Sequence, residues 1–292
     1  MSSSNGESPA GPTPGQITAT IELLGDDHGP LVAAARDRLL RWGDVVVPQL
    51  CAGAEAESVR LRSRCRALLR SFEVRAALAR FARLRLGRSG RGSAAPLLDG
   101  AVLLAKMVRT FVPDATELAV VLKREANELR AACAGRSLPT CARLLAERLH
   151  DKLGLRGADP TRVDLDQSLV DRVLATRLGS PVALSLIYLI VARWAGMSVA
   201  GVAMPDHFLV RLHGTRPVLV DPFHAGRTIT KADCTRYLRA HGHEQVRDQL
   251  NDLGDREMLI HYLRSLRVAA ATRPLPETQQ TLGHALALLE TS

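Results

Sequence analysis

Aromatic residues are scarce in this chain. Phe, Trp and Tyr make up 3% of 292 residues, against an apolar content of 46% dominated by Ala, Leu and Val. Side chains of that kind pack well between helices, and so much apolar content can fill a full core; a globular, mostly helical chain of two units is the expectation. Long apolar runs are missing too. A helix that crosses a bilayer takes about eighteen or more apolar residues. The longest candidate, Pro181 to Ala192, is short and interrupted by Ser185. It reads as a buried helix, and no membrane is expected as a partner. Cysteine pairs are absent: Cys51, Cys65, Cys133, Cys141 and Cys234 are an odd number, lie far apart and include no Cys-x-x-Cys. That pattern excludes a disulfide framework and a zinc knuckle, and points to the cytoplasm. Met1 to Gln16 hold Ser, Gly and Pro with almost nothing apolar. This composition predicts a disordered tail and not a secretory leader.

Lysine is nearly missing as well, with 4 Lys against 35 Arg, and the net charge is +9. Between Arg60 and Arg91 eleven arginines face the single acid Glu73, so this one segment carries the whole excess. Arginines gathered on one helical face, such as Arg62, Arg66 and Arg70, would make a basic patch for phosphate or an acidic partner. GC-rich coding explains an Arg-for-Lys skew without any recognition, so nucleic-acid binding is the weaker alternative and a solvated face the default.

Helical periodicity organises the first part. Leu31 to Trp42 is an apolar-striped helix stopped by Gly43, Val45 to Cys51 starts the next, and Leu61, Cys65, Leu68, Leu69, Phe72, Ala76 and Ala79 recur at spacings of three and four. Helix, tight turn, helix suggests degenerate HEAT-type hairpins over residues 17–86. Gly87 to Ala95, GRSGRGSAA, reads as a linker. Beyond it, Leu97 to Val108, Thr116 to Ala132 (capped by Asp114) and Thr140 to Lys152 read as helices.

The texture changes after Asp151. A Gly, Asp and Pro-rich loop leads to a helix at Gln167 to Thr176, and Arg177-Leu178-Gly179 interrupts before a second helix from Pro181 to Ala195. Ser180 followed by proline is a good helix entry, because the hydroxyl caps and proline at the first position loses no needed hydrogen bond. Ser198 to Met204, His207 to His213 and Val218 to Asp221 then read as strands. Register decides whether His207 meets Asp221. A three-residue loop at Gly214 to Arg216 sets Leu209 opposite Asp221 and leaves His207 as its diagonal neighbour on the same face; a two-residue loop sends the two to opposite faces. Thr230-Lys231-Ala232-Asp233 has capping-box spacing and places Cys234 near a helix start, where an exposed thiol would be acidified and a buried one would simply pack. His213, His224, His241 and His243 show no ligand spacing with acids, so neither a metal site nor any other cofactor is indicated.

The run Gln167-Ser168-Leu169, Val173-Leu174, Arg177-Leu178-Gly179-Ser180-Pro181-Val182-Ala183-Leu184-Ser185-Leu186-Ile187-Tyr188, Gly196, Pro205-Asp206-His207-Phe208-Leu209-Val210-Arg211 and Asp221-Pro222-Phe223 resembles the bacterial SirB-type family. Such proteins have a transglutaminase-like core, often followed by tetratricopeptide helices. The resemblance extends over roughly Leu97 to Tyr262 and implies an α+β, mostly helical fold: a helical subdomain on a small antiparallel sheet, with the core at residues 96–250. Residues 251–292 supply only about one helical pair, a truncated tail expected to pack back on the core. The chain departs from the family pattern with Gln167 in place of Asn, and with His224-Ala225 in place of Asn-Gly.

In the transglutaminase-like enzymes a cysteine at the start of the central helix is the nucleophile, activated by a histidine and an aspartate. The resemblance places the histidine at His207 and the aspartate at Asp221, and puts Ser180-Pro181 where the cysteine would stand. The expected function is therefore a non-catalytic protein-binding or regulatory module, with Asp206, Phe223, Arg177 and Tyr188 as further binding candidates. The alternative is a cryptic amide hydrolase or acyltransferase that attacks through Ser180 or Cys234, with His207 as general base and Asp221 orienting it.

Overall fold

A computed structural model describes residues 11–87, 92–159, 161–162, 164–205, 207–240, 242, 250–272 and 276–291. It is α+β and mostly helical, and the chain divides into two compact units, residues 1–76 and 77–292. The division falls inside one long helix and not at the Gly-rich segment 87–95. Of that segment residues 88–91 lie outside the described residues, and Ala95 already begins a helix.

The first unit opens with α1 (Pro14–Glu22), three residues inside the stretch read as a tail. Thr13 explains the start: its hydroxyl accepts from the Gln16 amide, while the Gln16 side chain accepts from the Thr13 amide, so two orphan donors are satisfied at once. After α2 (Gly29–Trp42) and α3 (Val47–Gly53) comes α4 (Val59–Phe81), one continuous helix. Its apolar stripe, Cys65, Leu68 and Phe72, closes on Ile17, Leu24, Leu39, Val46 and Leu50. Gly53 permits the close approach of α3 to α4, because a Cβ there would lie 2.7 Å from Cys65 Sγ.

The second unit begins its helices with α5 (Ala95–Val108), α6 (Ala115–Cys133) and α7 (Leu138–Ala146), the last running on as a π-helical turn over Glu147–Lys152. Asp114 caps α6 through a capping box with Glu117. The short strands β1 (Arg156–Gly157) and β2 (Leu178–Gly179) pair in parallel on either side of α8 (Val170–Thr176), a pairing that the sequence pattern does not announce. Then α9 (Pro181–Trp194) runs through the core with Leu184, Leu186, Ile187, Leu189, Ile190 and Val191 fully buried. Each such side chain contributes on the order of 2 kcal/mol.

Four antiparallel strands follow in chain order: β3 (Val199–Met204), β4 (His207–Leu212), β5 (Val218–Asp221) and β6 (Arg227–Ile229). Alternation splits their side chains between two cores. Val199, Phe208, Val210, Leu212 and Val220 join the α9 core, whereas Val202, Met204, Leu209 and Leu219 pack with Cys234 and Leu238 of α10 (Lys231–Ala240). The closing helices α11 (Asp255–Ala271) and α12 (Pro276–Thr291) pack on each other and on α5.

Candidate functional site

His207 opens β4 and Asp221 closes β5. Val210 pairs with Val220 and Leu212 with Val218, and continuing that register sets Leu209 opposite Asp221, as the three-residue-loop reading requires. The two side chains therefore share the α10 face of the sheet. His207 Nδ1 lies 3.9 Å from Oδ2 of Asp221, beyond a hydrogen bond. The nearer imidazole is that of His224, with Nδ1 2.7 Å from the same oxygen.

A turn built by Asp221 itself brings His224 back. Oδ1 of Asp221 accepts from the amides of Phe223 and His224 at 3.1 and 3.2 Å, an Asx-type arrangement, and the Asp221 carbonyl accepts from the Gly226 amide at 2.8 Å. Ala225 and Gly226 both take positive φ, 59° and 67°. At Gly226 a Cβ would meet Ala146 Cβ at 2.5 Å and the Tyr188 hydroxyl oxygen at 3.0 Å, so only glycine fits.

Asp221 has no exposed surface, and its charge is answered locally. Besides His224 and the two amides, the Arg227 guanidinium lies 3.8 Å from Oδ2. Tyr237 of α10 meets His207 edge to face with centroids 4.8 Å apart, and Phe223 meets His224 likewise at 5.2 Å. One ligand atom each of His207, Asp221 and His224 falls within 4.8 Å of the others. The histidine spacing gives no hint of this cluster, since His224 arrives through the turn and not through strand alternation. The Asp-Pro start of that turn is the one signal that points to it.

The remaining candidates lie elsewhere. Among the described residues the Ser180 hydroxyl has a single hydrogen-bond partner, the Ala183 amide at 3.4 Å, so it caps α9. The helix it opens packs on the Phe208 face, where Ser185 Oγ donates to the Phe208 carbonyl at 2.9 Å, and the His207 side chain leaves β4 on the opposite face. Cys234 does follow a capping box made by Thr230 and Asp233, but the residue is 2% exposed, and burial together with Asp233 pushes its pKa up. Helix-start acidification is thereby overridden, because a thiolate there would be desolvated. Tyr188 is fully buried and not available at the surface; its hydroxyl has no hydrogen-bond partner among the described residues. Arg177 ends α8 at φ 67° and offers its carbonyl to the Arg156 amide at 2.8 Å, joining β1 to β2. Phe223 is half-buried against β1, where a Cβ on Gly157 would meet its ring at 2.9 Å. Asp206, His241 and His243 lie outside the described residues.

The three arginines of the basic patch each make a contact inside the first unit. Arg62 donates to the Ala56 carbonyl at 2.7 Å, Arg66 Nε to the Ala54 carbonyl at 3.2 Å, and Arg70 pairs with Glu73 at 3.3 Å. These groups close the end of α3 and brace α4.

Residues 114–264, more than half of the chain, match the transglutaminase-like superfamily. The chain belongs to the transglutaminase-like superfamily. The matched stretch begins at the cap of α6 and runs into α11, so this transglutaminase-like region contains α9, the whole four-stranded sheet and the His207, Asp221, His224 cluster. A UPF0162 protein of Xylella fastidiosa (strain 9a5c) is 36% identical over 125 residues, covering 40% of this chain and 44% of that protein. F-box only protein 21 of Mus musculus is 31% identical over 105 residues, covering 32% of this chain and 16% of that protein. The chain thus spans less than half the length of these curated relatives. No solved structure gives a significant match. Among the described residues no helix is long and apolar enough to cross a membrane.

Proposed function

We propose that this transglutaminase-like chain is a non-catalytic module of the SirB-type branch that binds a protein partner in the cytoplasm, through the surface around His207, His224 and Phe223. One observation carries the reading: the start of α9 presents a capping serine and a proline, while the histidine and aspartate face α10. Covalent acyl transfer needs a nucleophile within hydrogen-bond reach of its base. Ser180 caps its own helix, and Cys234 is buried with its thiol pKa raised. The SirB-type assignment is supported by the run from Gln167 to Phe223, which lies within the residues matched to the superfamily. The arginines of α4 are engaged with carbonyls and acids of their own unit, which argues against nucleic acid as the partner.

The test is labelling of the purified chain at neutral pH with a fluorophosphonate and with a thiol alkylator, mapped by mass spectrometry beside His207→Ala. The proposal expects no modification of Ser180 or Cys234 that depends on His207. Histidine-dependent labelling of either residue establishes the hydrolase or acyltransferase reading instead.

A further inference from the structure

We propose that His207, Asp221 and His224 bind a divalent first-row transition metal ion, zinc being the representative case. The proposal needs only these three side chains and stands whether or not the surface around them binds a protein.

Two imidazoles converge on one carboxylate oxygen. Satisfying a buried carboxylate takes one of them, and His224 already does so at 2.7 Å. His207 stops 3.9 Å from the same atom, too far for a hydrogen bond but well placed to share a ligand. Metal bonds of about 2.0–2.1 Å to nitrogen and oxygen in a tetrahedral site separate neighbouring ligand atoms by about 3.3 Å. The two separations from Asp221 Oδ2 bracket that value and all three ligand atoms lie within 4.8 Å of one another, so rotation of the two imidazoles about their side-chain bonds would bring the set together.

The surroundings match what such a site requires. Ligating carboxylates are commonly held by hydrogen bonds to their second oxygen. Here Oδ1 accepts two backbone amides, which fixes Asp221 and turns Oδ2 toward the imidazoles. The rings of Phe223 and Tyr237 flank His224 and His207 edge to face. Two imidazoles and one carboxylate suit zinc and its first-row neighbours over magnesium or calcium, which prefer all-oxygen shells. Three protein ligands leave a fourth position for water or a partner's side chain. Arg227, 3.8 Å from Oδ2, occupies the cation's neighbourhood, but its side chain is 61% exposed and can withdraw into solvent.

The experiment is calorimetric titration of the chelator-stripped full chain with Zn2+, repeated with Co2+ to read the visible bands of a tetrahedral centre. It compares His224→Ala and His207→Ala with the control His213→Ala, whose imidazole pairs with Asp252 at 3.1 Å. His224 has a 42% exposed side chain, so its replacement keeps the fold, which circular dichroism checks. The proposal expects one saturable site, affinity lowered about tenfold or more in each of the two cluster variants, and no change in the control. A wild-type chain that shows no saturable zinc binding below about 100 µM overturns it. So does binding that His224→Ala leaves unchanged.

Discussion

Nδ1 of His224 stands 2.7 Å from Oδ2 of Asp221, a carboxylate with no exposed surface. A carboxylate only accepts, so this contact and the two amides on Oδ1 answer its charge in place of water. Removing the acid loses all three at once. Asp221→Ala is expected to destabilise the chain by about 3 kcal/mol, and His224→Ala, at a half-exposed position, by no more than about 1 kcal/mol. Urea denaturation of the two variants measures the difference.

Tyr188 gives the opposite sign. Its hydroxyl is buried without a hydrogen-bond partner among the described residues, so the oxygen is desolvated for no return. Tyr188→Phe keeps the ring and is expected to be neutral or to stabilise by about 1 kcal/mol. A melting temperature lowered by several degrees would show that the hydroxyl has a partner after all.

Alkaline pH should weaken the fold. Burial pushes up the thiols of Cys65 and Cys234 and the phenols of Tyr188 and Tyr262. The unfolded chain releases these protons from about pH 8.5 for thiols and about pH 10 for phenols, whereas the folded chain retains them. The unfolded state then binds fewer protons, so unfolding free energy falls as pH rises. Stability from this source is fully present below about pH 8 and is lost above it, by up to about 1.4 kcal/mol per pH unit for each group ionising only in the unfolded chain. Denaturation midpoints between pH 7 and 11 check the slope.

The arginines of α4 make a structural prediction. Arg62→Ala removes a hydrogen bond to the Ala56 carbonyl and is expected to cost the first unit about 1 kcal/mol. Charge reversal at Arg62, Arg66 and Arg70 should leave duplex DNA retention unchanged across salt concentrations. A steep salt dependence abolished by that reversal would restore the nucleic-acid reading.

Much of the frame was legible because local chemistry set it. Ser180-Pro181 opens α9, Asp114 caps α6 and Thr230 with Asp233 caps α10, each from a few adjacent residues. Alternation marked the strands on either side of Gly214 to Arg216, but it left the β4–β5 register open between two loop lengths, and the structure has the three-residue case. What stayed hidden depends on chain reversal. His224 joins the cluster because Asp221 hydrogen-bonds its own turn and Ala225 accepts a left-handed conformation, a reversal that the sequence marks by the Asp-Pro start of the turn alone. Burial was equally hard to read: Cys234 sits at a helix start, as its capping box implies, yet faces Leu209 and Leu219. The start of α1 at Pro14 came from a Thr13–Gln16 capping box inside a segment whose composition suggested disorder.

On this geometry the imidazole of His207 does not serve the start of α9. Installing the missing nucleophile tests it most directly, as the alkylation rate at neutral pH of the thiol introduced by Ser180→Cys, measured with and without His207→Ala. Removing the histidine is expected to leave the rate unchanged, since the helix start alone would act on that thiol. A rate that falls about tenfold or more on loss of His207 would contradict it and return the histidine, with Asp221 behind it, to a catalytic geometry.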